Sequence, residues 1–237
     1  MTRLLVLQPD RNDPPARLGE WLTAAGAVLD VVKPYEDPVP DTLDGYQGVV
    51  CLGGAMGALD DDAHPWLTDV RRLLSHAVSK RVPLLAICLG AQLLAAATGG
   101  QVRRAPQPEY GMQLVAKRDA AGGDPLFADL PWTPDVYQSH ADEVALLPPT
   151  ALLLASSPKC ANQAFRVGDR AYGLQFHIET TPEMVLRWAS GYPGVVLDPD
   201  RLTRGHEDIQ EVWQPFAERF VRLAAGELTI QRNLPVV

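Results

Sequence analysis

The chain has 237 residues, 46% hydrophobic and 21% charged, which excludes disordered and fibrous classes and suits one domain of ordinary size. Its 21 Lys and Arg against 29 Asp and Glu leave a net charge of -8. That balance argues against a nucleic-acid partner, because phosphate binding is driven by clustered cations.

The first half alternates strand and helix signals. Residues 4–7 form a short apolar strand, and residues 15–25 carry Leu18, Trp21, Leu22 and Ala25 at helical spacing. Residues 28–32 and 48–52 are further strands, the second running into Gly53-Gly54. Residues 65–80 read as a helix opened by Pro65, and residues 83–87 as a strand leading to Cys88. A helix over residues 89–98 stops at Gly99-Gly100. Continuous apolar strands alternating with helices predict an α/β fold, with a mostly parallel central sheet covered on both faces. Ligands bind such sheets beyond the carboxyl ends of the strands, where Gly53-Gly54 and Cys88 both fall.

The second half offers short strands at residues 101–103, 112–116, 136–138, 151–156, 163–167 and 171–176, joined by Gly, Pro and Asp turns. They read as antiparallel additions to the same domain. A helix is expected over residues 181–190 and an amphipathic one over 208–225. The Pro-, Gly- and charge-rich stretch 191–207 between them reads as a loop. The expected organisation is one domain over residues 1–237, with 191–237 as a C-terminal loop and helix extension. Cys51, Cys88 and Cys160 are an odd number in a chain too large to need disulfide staples. With no signal-peptide pattern after Met1 and no run long enough to span a bilayer, free thiols, no membrane partner and a cytoplasmic location are expected.

The run Val82-Pro83-Leu84-Leu85-Ala86-Ile87-Cys88-Leu89-Gly90-Ala91-Gln92 has the layout of a nucleophile elbow, strand to cysteine to helix. A helix N-terminus favours a thiolate over a thiol. A cysteine nucleophile also needs a base and a group to orient it. In Gln175-Phe176-His177-Ile178-Glu179 the histidine and the carboxylate lie two apart, so extended backbone projects both to one side.

The combination resembles the class I glutamine amidotransferases. Cys88, Gly90 and Gln92 match that family's Cys-x-Gly-x-Gln, and Gly53-Gly54 its Gly-Gly loop. Ser139-His140-Ala141-Asp142-Glu143-Val144 matches Ser-His-x-Asp-x-Val, and Gln-Phe-His-x-Glu completes the set in the family's order over roughly residues 1–190. The arrangement looks most like the glutaminase part of GMP synthase and its free-standing relatives.

The resemblance implies a three-layer, flavodoxin-like sandwich and a catalytic triad of Cys88, His177 and Glu179. Cys88 would form a γ-glutamyl thioester, His177 would move the proton, and Glu179 would hold the ring. The N–H groups of Gly54 and Leu89 would form the oxyanion hole, with Gly53, Gln92, Ser139 and His140 toward the substrate. Gln92 falls four residues past Cys88, on the same helix face. His140 is placed behind His177 as a base, because beyond Asp142 no carboxylate is comparably placed in sequence.

The implied substrate is glutamine or a γ-glutamyl compound, and no cofactor is called for. Ammonia would pass to a separate synthetase subunit, since the residues after Ser190 are too few for a synthetase domain. Alternatives are a stand-alone γ-glutamyl peptidase and a non-catalytic binding protein of the same fold. Ile178 stands where many family members have proline, which leaves the pair intact and weakens assignment to one synthase subgroup. A cysteine-elbow hydrolase of the kind with histidine directly after the cysteine is disfavoured by Leu89.

The remaining candidates read as structural. Cys51 lies inside a strand and Cys160 in a loop; His64, His76 and His206 have no Cys or His at metal-ligand spacing. Residues 53–57 lack the Lys-Ser/Thr of a phosphate loop, and Asp60-Asp61-Asp62 reads as a solvated loop.

Overall fold

The computed structural model describes residues 1–189 and 198–228. In chain order, β1 (Thr2–Leu7), α1 (Ala16–Ala24), β2 (Ala27–Val32), β3 (Gly48–Cys51), α2 (Trp66–Lys80), β4 (Leu84–Ile87) and α3 (Leu89–Ala97) form the alternating half. There follow β5 (Gln101–Leu114), β6 (Ala116–Lys117), β7 (Asp135–Leu146), β8 (Ala151–Ser156), β9 (Ala164–Val167), β10 (Ala171–Leu174), α4 (Pro182–Ala189) and α5 (Pro199–Ala224). One eight-stranded sheet runs β2-β1-β3-β4-β10-β9-β8-β6. Its first five strands are parallel, and β9, β8 and β6 continue it antiparallel.

The strands are apolar throughout because both faces are covered. Leu4 and Val6 of β1 face one way, into a core with Leu18 and Leu22 of α1 and Trp213, Phe216 and Phe220 of α5. Leu5 and Leu7 face the other way, against Leu73 and Leu74 of α2 and Leu93 and Leu94 of α3. That is the three-layer α/β sandwich expected from the alternating pattern.

Two expectations need correction. Residues 101–103 and 112–116 are not two separate short strands. Residues 101–114 are one strand, β5, which pairs antiparallel with β7 in a two-stranded ribbon of its own. The register shifts between Arg104 and Glu109, where Pro106 and Pro108 supply no N–H to a ladder, so the sequence reads as a break.

The stretch 191–207 is likewise not a loop over its whole length: residues 199–207 are the first turns of α5, and 191–197 lie outside the described residues. The oxygen of Asp198 accepts from the N–H groups of Asp200 and Arg201, and Pro199 follows it at the first helical position. Nor is α5 an appendage. Trp213 and Phe216 pack edge-on against Phe127, at 6.2 and 5.5 Å between ring centroids.

Candidate active site

Four neighbouring parallel strands end on one side of the sheet. The loop after β1 carries Asp10 and Asp13, the turn after β3 carries Gly53-Gly54, Cys88 follows β4, and His177 lies three residues past β10. The β5–β7 ribbon closes over them with Ser139 and His140, and α4 brings up Arg187 and Trp188. Together these walls enclose a cleft of about 520 Å³.

Cys88 adopts φ 49°, ψ -107°, a conformation that side chains other than glycine rarely take. It is pinned there: its N–H donates to the carbonyl of Leu174 at 2.7 Å, and its carbonyl accepts from the N–H of Gln92 at 3.0 Å. That second bond is the first of α3, so the N–H groups of Leu89, Gly90 and Ala91 have no partner within the helix. Gly90 packs against β3 so closely that a Cβ would collide with the carbonyl of Cys51. Glycine at this position is a condition of the elbow. A Cβ on Gly54 would come within 2.9 Å of the Leu89 side chain and 2.7 Å of the Met56 sulfur, so residues 54 and 89 are close neighbours.

The strand expected over residues 171–176 stops at Leu174. His177 is held instead by a single antiparallel bridge, its N–H donating to the carbonyl of Tyr137 at 2.8 Å and its carbonyl accepting in return at 3.2 Å. His177 and Glu179 still face the same side. Nδ1 of the ring lies 2.6 Å from Oε1 of Glu179, and Oε2 accepts from the N–H of Ile178 at 2.9 Å. Trp188 packs edge-on to the ring at 5.0 Å. Nε2 is buried without a hydrogen-bond partner, on a side chain that lines the cleft with Cys88. Burial opposes the imidazolium, but the charges of Glu179 and Cys88 outweigh it and hold the His177 pKa well above 6.5.

The other expected residues divide. Gln92 lines the cleft, yet its side-chain amide N–H groups already reach the Asp142 carbonyl at 3.1 Å and the Gln175 side-chain oxygen at 3.3 Å. Gln175 in turn directs its Nε2 at the Cys88 sulfur, 3.8 Å away. The carbonyl of Ser139 lies 3.9 Å from that sulfur. Gly53 does not line the cleft; its bare α-carbon is covered by Asp13 and His177.

His140 does have a carboxylate, contrary to the sequence reading. Oε2 of Glu109 lies 3.2 Å from His140 Nε2, off the line of a hydrogen bond, and both side chains are fully buried. The two are 31 residues apart, and only the β5–β7 register pairs them. Glu109 also accepts from Ser157 at 3.1 Å and Gln163 at 2.8 Å. Cys160 stands close to this pair, its thiol pushed up to about 12 by burial. The fold thus gathers Glu109, His140 and Cys160, and separately Asp13, His177 and Glu179, close enough to share an ion. In the first set the carboxylate already accepts from Ser157 and Gln163, and the second is built on the His177–Glu179 pair. Sequence reasoning passed over Asp13 as well, since nothing in Asn12-Asp13-Pro14 sets it apart from an ordinary turn.

Residues 20–185, more than half of the chain, match the model of the glutamine amidotransferase class-I family. The chain belongs to that family of cysteine-dependent amidotransferases. It is 33% identical over 151 residues to the glutamine-hydrolysing GMP synthase of Christiangramia forsetii, a match covering 62% of this chain and 27% of that protein. It is 34% identical over 153 residues to the GMP synthase of Thermus thermophilus, covering 64% and 28%. The amidotransferase therefore spans about a quarter of the length of these curated relatives. Its fold superposes on a glutamine amidotransferase of Thermotoga maritima with a TM-score of 0.82 at 28% identity, covering 94% of this chain and 97% of the other. Among the described residues no helix is long and apolar enough to cross a membrane.

Proposed function

We propose that this amidotransferase hydrolyses the γ-amide of glutamine through a thioester on Cys88. The observation that carries the reading is the arrival of Cys88 and the His177–Glu179 pair in one cleft from distant parts of the chain, with the cysteine held strained at a helix N-terminus. In the proposed reaction the sulfur attacks the amide carbon and its proton passes to His177 Nε2. The N–H groups of Gly54 and Leu89 receive the developing oxyanion. His177 then gives the proton to the leaving nitrogen as the C–N bond breaks, and ammonia departs. His177 takes a proton from water, whose oxygen attacks the thioester, and glutamate leaves as the Cys88 thiol re-forms. Glu179 accepts from Nδ1 and keeps the proton there, so that Nε2 is the atom that exchanges protons.

Ammonia released here would serve a synthetase acting in trans, in keeping with the likeness to GMP synthases. The buried free thiols Cys51, Cys88 and Cys160 suit a reducing cytoplasm. The test is glutaminase activity of the purified chain, alone and with candidate synthetases. Hydrolysis that disappears in Cys88→Ala, with the fold retained, is the expected result.

A second reading, a stand-alone γ-glutamyl hydrolase, draws support from the cleft itself. At about 520 Å³ it lies in the roughly 300–1,000 Å³ range of sites for ligands larger than one amino acid. Faster cleavage of γ-glutamyl dipeptides than of glutamine would favour it over ammonia donation.

A further inference from the structure

We infer that Asp13 is a positioning residue of the catalytic centre, a second carboxyl against His177 that works with Glu179 to hold the ring as its cation until the leaving nitrogen takes the proton. The inference rests on His177 acting as the acid and base proposed above.

Asp13 sits in the loop between β1 and α1, and its side chain is buried. One oxygen, Oδ1, meets neither solvent nor any hydrogen-bond donor. Its carboxylate, a ring nitrogen of His177 and a carboxylate oxygen of Glu179 all lie within 4.8 Å of one another. The bare face of Gly53 shows which edge of the ring Asp13 approaches. A Cβ at that glycine would stand 3.2 Å from His177 Cε1 and collide with Asp13 Oδ2. The imidazole thus meets Glu179 at Nδ1 and lines the cleft with Cys88, while its Cε1 edge and Asp13 Oδ2 both face the bare α-carbon of Gly53.

The charges around this carboxyl come from several elements. Asp10 shares its loop, Cys88 heads α3, Glu179 follows His177, and Tyr137 bridges His177 from β7. Arg187 of α4, Arg104 of β5, and His140 and Asp142 of β7 line the same cleft. Burial pushes the Asp13 carboxyl up to about 7; His177 pulls it down, while Glu179 and Asp10 push it further up. Such couplings are reciprocal: a histidine that favours the carboxylate is itself favoured as an imidazolium by that carboxylate. A buried carboxyl oxygen without a donor costs stability, and simple space-filling would be met by an amide. No bond is made or broken at Asp13; the proton travels only between His177 Nε2, Cys88 and the substrate nitrogen.

The test is an NMR titration of the full chain, labelled at the histidine ring carbons and the aspartate carboxyls, in wild type and Asp13→Asn, without substrate. The His177 Cε1–H resonance should shift its midpoint down by about one pH unit in Asp13→Asn. The alkaline limb of kcat for glutamine should shift in the same direction. In wild type, the Asp13 carboxyl and His177 Cε1–H should share an inflection near pH 7, a readout that needs no variant to fold. An unmoved His177 midpoint in a folded Asp13→Asn, or independent titration of the two groups in wild type, overturns the inference. Because substrate is absent from the NMR arms, their outcome is separate from whether glutamine is hydrolysed.

Discussion

Tyr137 and His177 exchange both main-chain hydrogen bonds, at 3.2 and 2.8 Å, although neither the strand β10 nor any other named strand includes His177. Through this one bridge the β5–β7 ribbon is docked onto the loop that carries His177. It also places Ser139, two residues on from Tyr137, with its carbonyl 3.9 Å from the Cys88 sulfur. The position of the cleft's roof and the backbone position of His177 are thus tied together.

Replacing Glu179 by Gln keeps the shape of the pair and removes the charge that holds the His177 pKa up. A loss of roughly 10²–10⁴-fold in kcat for glutamine is expected, the range of a general acid–base contribution. The sign for stability follows from the same shift. The folded-state pKa lies above the unfolded value, so the pair stabilises the fold in full below about pH 6.5, and this is lost as pH rises through the folded pKa. Glu179→Gln should therefore lower Tm more at pH 6 than at strongly alkaline pH, which thermal melts across pH would show.

Asp13 also costs stability as pH rises, because burial disfavours its charged form. Its carboxyl is raised from 3.8 to about 7, so the folded chain holds this proton more tightly than the unfolded chain. Stability is complete below pH 3.8 and drains away as pH rises from there to about 7, by up to roughly 4 kcal/mol. Asp13→Asn removes that slope. Its Tm should exceed that of wild type at pH 8 by more than at pH 5, and a constant difference would contradict the shift.

Gly90→Ala puts a methyl group into the carbonyl of Cys51, a backbone atom that cannot swing aside. Overpacking costs about 1–3 kcal/mol in an adaptable core, and more is expected at this rigid contact. Urea denaturation should show the loss. Alkylation of Cys88 by a glutamine-mimicking electrophile should slow in parallel, because the elbow that exposes the sulfur has shifted.

Trp213→Ala tests whether α5 belongs to the core. The indole is fully buried, packs edge-on or tilted against Phe127, Phe176 and Phe216, and donates its N–H to the carbonyl of Asp135 at 2.9 Å. About 3–5 kcal/mol should be lost in denaturant unfolding. An effect below 1 kcal/mol would mean that α5 packs only superficially.

The alternating half of the fold was legible because its signals are local. Apolar runs such as Leu4-Leu5-Val6-Leu7, helical spacing in α1 and α2, and Pro65 before α2 report on neighbours along the chain. The start of α5 was written just as locally, in Asp198-Pro199, but the charge and glycine around it read as loop. The Cys88 elbow and the His177-x-Glu179 spacing were visible for the same local reason.

What the sequence by itself determined is the family, the parallel core of the sheet and the two segments that carry Cys88 and the His177–Glu179 pair. What only the tertiary structure decided is which side chains meet across long separations. Glu109 reaches His140 through strand register, and Asp13 reaches His177 over the bare face of Gly53. Gln92 has its amide N–H groups taken by Asp142 and Gln175. Burial and charge coupling belong to this second class, because both depend on groups that the chain brings together only by folding. The raised pKa values of Asp13 and His177 are therefore properties of the fold, while the elbow pattern around Cys88 is written in eleven consecutive residues.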